Sequence, residues 1–201
     1  MTWEKKKVLV TVKAYPEKSK KHGTVVCTAG ITDTGDWIRL YPMPYSSFLG
    51  GNMIQRYDWI EADCEKVTDE KLGRKESYRV RDGSVNIIER SLSSKKVKGK
   101  APWQNRNKLV LPKLAPSMEH LGEQYQKDKT SLGLIKPKEV IAFYTREELQ
   151  QPPEPKEYQQ SLDNQIIPII DTIPHIFAYK FHCAGCSRLS ALTGSNPEII
   201  N

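Results

Sequence analysis

Thr24-Val25-Val26-Cys27-Thr28-Ala29-Gly30-Ile31, then Asp33-Thr34-Gly35-Asp36, then Trp37-Ile38-Arg39-Leu40-Tyr41 is the segment on which the architecture turns. The first run is rich in β-branched and small apolar residues, and Gly23 before it marks a turn. The polar link supplies turn chemistry, with Gly35 able to take positive φ. The second run alternates, so that Ile38 and Leu40 face one side while Trp37, Arg39 and Tyr41 face the other. Two such runs across a tight link predict a β-hairpin with Ile38 and Leu40 in the core. Pro42 and Pro44 are expected to end the second strand.

Ahead of the hairpin, Val8-Leu9-Val10-Thr11-Val12 reads as a strand. Behind it, residues 45–53 read as loop or a short helix interrupted by Gly50-Gly51. Residues 57–67 alternate into a long strand with Ile60, Ala62 and Cys64 inward. Tyr78-Arg79-Val80 and Val85 to Ile88 are shorter strands. Short strands at roughly 8 to 12 residue spacing specify a small barrel or sandwich. The expected class is thus β-rich α+β: a small OB-like β-barrel or barrels with a few short helices.

The texture changes after residue 90. Residues 91–107 form a basic linker or loop. Residues 108–186 form a C-terminal α+β subdomain, and 187–201 a tail, behind an N-terminal barrel-like subdomain of residues 1–90. Ser117-Met118-Glu119 has the form of a helix N-cap with acid in the first turn, opening a helix to about Lys127. Ser131 to Ile135, Glu139 to Tyr144 and Ile176 to Phe181 read as strands, and Leu149 to Gln160 as a polar surface loop.

The 201 residues carry 31 Lys plus Arg against 24 Asp plus Glu, a net charge of +7. Eight of the basic residues lie between Arg90 and Lys113 with no acid among them, so the rest of the chain is close to neutral. Concentrated charge attracts polyanions, whereas evenly spread charge mostly serves solubility. Apolar runs fall far short of the ~20 residues a membrane helix needs. The Lys-rich start leads into only a short apolar stretch with no small-residue cleavage site, so a soluble, cytoplasmic protein is expected. In such a reducing compartment Cys27 and Cys64, inside apolar strands, are expected to be small buried hydrophobes.

Three sites stand out. The first is the basic segment with its aromatic neighbour: Lys95, Lys96, Lys98, Lys100, Trp103, Arg106 and Lys108. Nucleic-acid binding needs cations along the phosphates, and single strands add aromatic faces for bases. The bland alternative is solvated surface with Trp103 in a core. The second is the outward stripe Trp37, Arg39 and Tyr41, the aromatic and basic face that OB-type barrels use for oligonucleotides. Packing against a second layer, with Arg39 paired to an acid, would explain it equally. The third is His182-Cys183-Ala184-Gly185-Cys186. Two thiolates two residues apart can chelate zinc, with His182 as neighbour, yet a tetrahedral site needs four ligands. No bound metal, zinc and redox chemistry all remain open for this pair. No phosphate-binding glycine loop, zinc-protease motif, nucleophile elbow or dinucleotide fingerprint occurs.

Lys13-Ala14-Tyr15-Pro16, Cys27 to Ile31, Trp37 to Pro44, Tyr57 to Ile60 and Ser131 to Pro137 resemble a family of uncharacterised bacterial proteins over most of the chain, to about Cys186. Residues 187–201 depart from that pattern. The Cys-x-Ala-Gly-Ile and Trp-Ile-Arg pieces are also similar to dual OB-fold domains of prokaryotic conflict and defence systems. That similarity implies two small barrels, a nucleic-acid or modified-nucleotide ligand, and a functional face near Trp37 to Tyr41. The leading expectation is a non-catalytic nucleic-acid-binding accessory or sensor of bacterial defence or a mobile element. A protein-interaction module docking on a larger enzyme is the second, and a nuclease the third.

Overall fold

The computed structural model describes residues 2–19, 22–68, 74–90, 103–147, 175–186, 190–193 and 199–200. The hairpin is present as β3 (Gly23–Thr32) and β4 (Trp37–Pro44), antiparallel from Ile31↔Trp37 to Val25↔Pro44. Gly35 closes its turn at φ 87°, a left-handed value that glycine takes without steric cost. Ile38 and Leu40 are buried and Tyr41 is exposed, as the alternation requires. β4 runs past Pro42, contrary to expectation, and ends on Pro44. The register shifts between Val26 and Thr28, and beyond it Met43 pairs with Val26 and Pro44 with Val25. A bulge is where a ladder tolerates residues that lack an N–H.

Around the hairpin lie β1 (Glu4–Lys13), β5 (Trp59–Lys66) and β6 (Ser77–Val80). The N-terminal part of β1 pairs with β5 and its C-terminal part with β3, both antiparallel, with a register shift between Val10 and Val12. A strand shared between two neighbours must bend, and the bulge absorbs the bend. β5 pairs antiparallel with β6, and β6 runs parallel to β4 through Arg39↔Ser77 and Leu40↔Tyr78. The ring β1-β3-β4-β6-β5 thereby closes on itself. Its five strands, with one parallel contact between the third and the last, make a small OB-like barrel. The short β2 (Glu17–Ser19) pairs antiparallel with the start of β3, and β7 (Asn86–Glu89) pairs with the start of β5.

The barrel is filled by Val8, Val10, Val26, Ile38, Leu40, Met43, Ile60, Ala62 and Cys64. Phe48, from the 3-10 turn Tyr45–Phe48, and Ile54 add to this core. Burial pushes the Cys64 thiol up to about 12, so its reactive thiolate is suppressed. A thiol reagent at neutral pH is therefore expected to leave Cys64 unlabelled in the native protein and to label it only on unfolding. Mass mapping after a timed pulse checks this, and native labelling of Cys64 as fast as of half-buried Cys27 would contradict it.

Beyond the barrel come α1 (Trp103–Val110), the 3-10 turn Leu111–Lys113, α2 (Met118–Asp128), and β8 (Pro137–Glu147) to β11. α1 occupies 103–107, the end of the stretch read as linker. Ser117 caps α2 as predicted, its Oγ accepting from the His120 N–H at 3.0 Å. Residues 131–135 are not a strand. They make a single bridge, Leu114↔Leu134, because their polar groups and close contacts go to tertiary partners. The Ser131 N–H donates to Glu76 Oε1 at 2.9 Å, and a Cβ on Gly133 would lie 2.4 Å from Leu121 Cδ2.

β9 (His175–Cys183) pairs with β8 and with β10 (Ser190–Thr193), which pairs with β11 (Ile199–Ile200). This second sheet, in the order β11-β10-β9-β8, is open. The described residues thus hold one closed barrel where the resemblance implied two. Met118 of α2 packs with Phe181 and Cys183 of β9 in a separate small core. The strand expected over Ile176 to Phe181 is β9. The polar loop expected at Leu149 to Gln160 lies outside the described residues, as does the tail except β10 and β11.

Candidate nucleic-acid interface

The outer face of β3, β4 and β6 borders a groove of about 1200 Å³. Its rims come from the β1–β3 connection (Glu17, His22) and from the residues entering and leaving β6 (Arg74, Arg81, Asp82). Four arginines line it, Arg39, Arg74, Arg79 and Arg81, with Trp3 and Tyr41 as aromatic surface, while Tyr78 packs against the barrel core with Lys6 and Lys66 over its ring. The acids in the lining are Glu17 and Asp82, so the groove carries a positive excess.

Pairing places each cation. Arg79 stands opposite Glu65 in the β5–β6 register, 3.9 Å from its carboxylate, and Arg81 reaches Asp63 at 3.4 Å. Both arginine side chains are about half exposed (53% and 50%), and pairs of that kind contribute only about 0–1 kcal/mol. Each guanidinium can therefore exchange its carboxylate for a phosphate at little cost. The Arg81 guanidinium also lies 4.8 Å over the Trp3 ring, so that the cation stacks on one face of the ring.

Arg39 is held more firmly. Its Nη2 donates to Ser131 Oγ at 3.0 Å, its Nη1 lies 3.3 Å from Cys27 Sγ, and its backbone N–H donates to the Glu76 carbonyl at 2.8 Å. Ser131 in turn gives its N–H and O–H to the buried Glu76 carboxylate. The acid partner that sequence reasoning set against a binding role thus acts through Ser131. This fastens β4 and the start of β6 to the segment after α2, and it fixes Arg39 at the groove wall.

A second clasp holds the same corner. Lys75 Nζ donates to Asp128 Oδ2 at 2.6 Å, and the Thr130 N–H and O–H donate to Oδ1 at 3.1 and 2.6 Å. The Lys75 hydrogen bond first, then that from Thr130, lowers the Asp128 carboxyl to about 2. A depressed folded-state value means the clasp is fully present above the ordinary carboxylate pKa of about 3.9 and is lost as pH falls through about 2. A carbon-13 titration of Asp128 is expected to show this low midpoint, and Lys75→Ala to move it up toward the ordinary value. An unchanged midpoint in the variant would remove Lys75 from the clasp.

Of the residues singled out from sequence, Arg39 and Tyr41 reach the groove. Trp37 shares their strand face but lies in a neighbouring cleft with Lys66, Lys75 and Pro112. Lys95, Lys96, Lys98 and Lys100 lie outside the described residues. Trp103 opens α1, and Arg106 stacks on Tyr57 at 4.3 Å, while Lys108 is exposed in the last turn. Sequence reasoning missed Arg74, Arg79, Arg81 and Trp3. The spacing of Arg79 in a short strand and Arg81 just after it is the available signal, but only the parallel β4–β6 contact brings them beside Arg39. Cys183 and Cys186 are joined as a disulfide, and Glu119 lies beside them. His182, exposed between buried Phe181 and Cys183, points to the other side of β9 and takes no part in that cluster.

Fold and groove together describe a closed OB-like barrel with a basic and aromatic cleft across its β3–β4–β6 face. The chain belongs to the family described as a domain of unknown function, DUF8758, whose model matches residues 4–112, just over half of the chain. The match takes in the whole barrel and α1. No curated protein and no solved structure matches the chain. No helix among the described residues is long and apolar enough to cross a membrane.

Proposed function

We propose that the chain is a non-catalytic nucleic-acid-binding protein whose ligand lies in the β3–β4–β6 groove. The observation that carries this reading is the set of four arginines beside Trp3 and Tyr41 along one open groove. Guanidinium forks suit phosphates, and aromatic faces suit unstacked bases, so the pattern favours a single strand over a duplex. The basic segment from Lys95 to Lys108 is a second phosphate contact in this reading, adding charge rather than base contacts. A role as an accessory or sensor in bacterial defence or a mobile element rests on the similarity of Cys27 to Arg39 to domains of such systems.

Fluorescence anisotropy of labelled single-stranded DNA, duplex DNA and RNA across a salt series tests the proposal. The expected result is binding to single strands, with the logarithm of affinity falling against log salt by about 0.7 for each phosphate contacted. Failure of all three oligonucleotides at low salt would overturn it. One observation favours a second reading, a module docking on a partner protein: Val140, Ile141, Phe143 and Tyr179 of the second sheet are all about half exposed. Co-purification of a partner in nuclease-treated extract, with no oligonucleotide binding, would favour that reading.

A further inference from the structure

We infer that Cys183, Cys186 and Glu119 form a site for a thiophilic divalent cation of the zinc type, open when the cysteines are reduced and closed when they are joined. One sulfur or carboxylate oxygen from each of the three lies within 4.8 Å of the other two. Among the described residues this is the group of metal-type donors that converges. The donors of a tetrahedral zinc site lie ~3–4 Å apart, given a zinc–sulfur distance of about 2.3 Å, so small side-chain rotations suffice. Water would supply the fourth ligand.

The surroundings hold the donors in place. Cys183 is buried beside Met118 and Phe181, and the Cys186 N–H closes the turn onto the Cys183 carbonyl at 3.4 Å. Gly185 is pressed against the residue preceding the helix cap, where a Cβ would lie 2.7 Å from the Pro116 carbonyl oxygen. Cys186 Sγ accepts the Met118 N–H at 3.4 Å, a contact that holds the sulfur at the start of α2. Glu119 adds a third anion. Two thiolates and a carboxylate crowded together repel one another strongly, and a divalent cation at their centre converts that repulsion into attraction.

The joined state seen in the structure is the oxidised form. A dithiol reductant opens it by delivering two electrons and two protons, leaving as its own disulfide and yielding two thiols. Cation binding then releases both thiol protons to solvent. Because the donors come from α2 and from β9 with the turn after it, occupancy ties the second sheet to the helix. This inference does not depend on nucleic-acid binding.

The test is uptake of zinc and cobalt(II) by the full chain, with and without prior reduction. Reduced protein is expected to take one equivalent of zinc, to show a sulfur-to-cobalt charge-transfer band, and to melt higher with zinc. Oxidised protein should do none of these. Cys186→Ser, at a half-buried position, should abolish uptake and the band. Glu119→Gln should weaken affinity at least about tenfold while keeping the fold, and His182→Ala should change nothing. Circular dichroism of each variant separates lost binding from lost folding. Equal uptake by oxidised protein, an unchanged zinc affinity in Glu119→Gln, or no cobalt band after reduction would overturn the inference.

Discussion

Replacing Arg74, Arg79 and Arg81 together by alanine is expected to weaken single-strand binding on the order of 10- to 100-fold at low salt and to flatten the salt dependence by about 2. The slope is the more telling quantity, because every phosphate left without its cation on a single strand removes about 0.7 from it, whatever the absolute affinity. Folding should survive. Arg79 and Arg81 are half exposed, and their pairs with Glu65 and Asp63 are of the surface kind that contributes little to stability. Trp3→Ala adds a separate arm: it should cost about 1–3 kcal/mol of affinity by removing a stacking face and leave the slope unchanged. The four-lysine variant, with Lys95, Lys96, Lys98 and Lys100 all alanine, should also reduce the slope but leave that Trp3 effect intact. If the arginine triple binds as the wild type does while the lysine variant loses binding, the groove is not the ligand site.

The second large effect falls on folding. Gly30→Ala is expected to destabilise the protein by about 3–5 kcal/mol, a large share of the ~5–15 kcal/mol that holds a typical domain folded. Gly30 sits where β3 crosses β1, and a Cβ there would lie 2.3 Å from the Leu9 carbonyl oxygen and 2.6 Å from Val8 Cγ1. The first obstacle is backbone, which cannot rotate away. Leu9 is also paired with Trp59 of β5, so moving it disturbs both seams that β1 closes. Gly51→Ala, where nothing lies within 4 Å, is the control and should shift stability by less than about 0.5 kcal/mol. Urea denaturation of the two variants beside the wild type decides it. Equal midpoints for Gly30→Ala and the wild type would mean that the β1–β3 crossing is looser than described.

Legibility in the sequence differs by element. A two-residue period assigns Ile38 and Leu40 to the core, and Ile60, Ala62 and Cys64 in the same way; all five are buried. Ser117 is readable as a cap because its role depends on residues three positions away. Residues 131–135, by contrast, carry a strand-like composition but no partner strand. Their Ser131 and Gly133 are committed to Glu76 and Leu121, which local pattern cannot reveal. β4 runs past Pro42 to end on Pro44 because a bulge in its pairing with β3 accommodates Pro42, and a bulge is a property of two strands.

The candidate sites divide along the same line. Alternation alone turns Arg39 and Tyr41 outward together, since a strand's side chains are bound to its own pleat. That Trp37 leaves their groove, and that Arg74, Arg79, Arg81 and Trp3 enter it, follows from the closure of β6 onto β4 and β5. Likewise the Cys-x-x-Cys spacing is visible in the chain, but the choice of Glu119 over adjacent His182 as its neighbour is made by α2 packing on β9. Short-range periodicity and capping are written in neighbouring residues, and they suffice to specify a buried-face hairpin, a long companion strand and a capped helix. Which side chains share a groove or a metal site depends on residues far apart in sequence meeting one another, and that is fixed only when the hydrophobic core closes the barrel and brings its edges together.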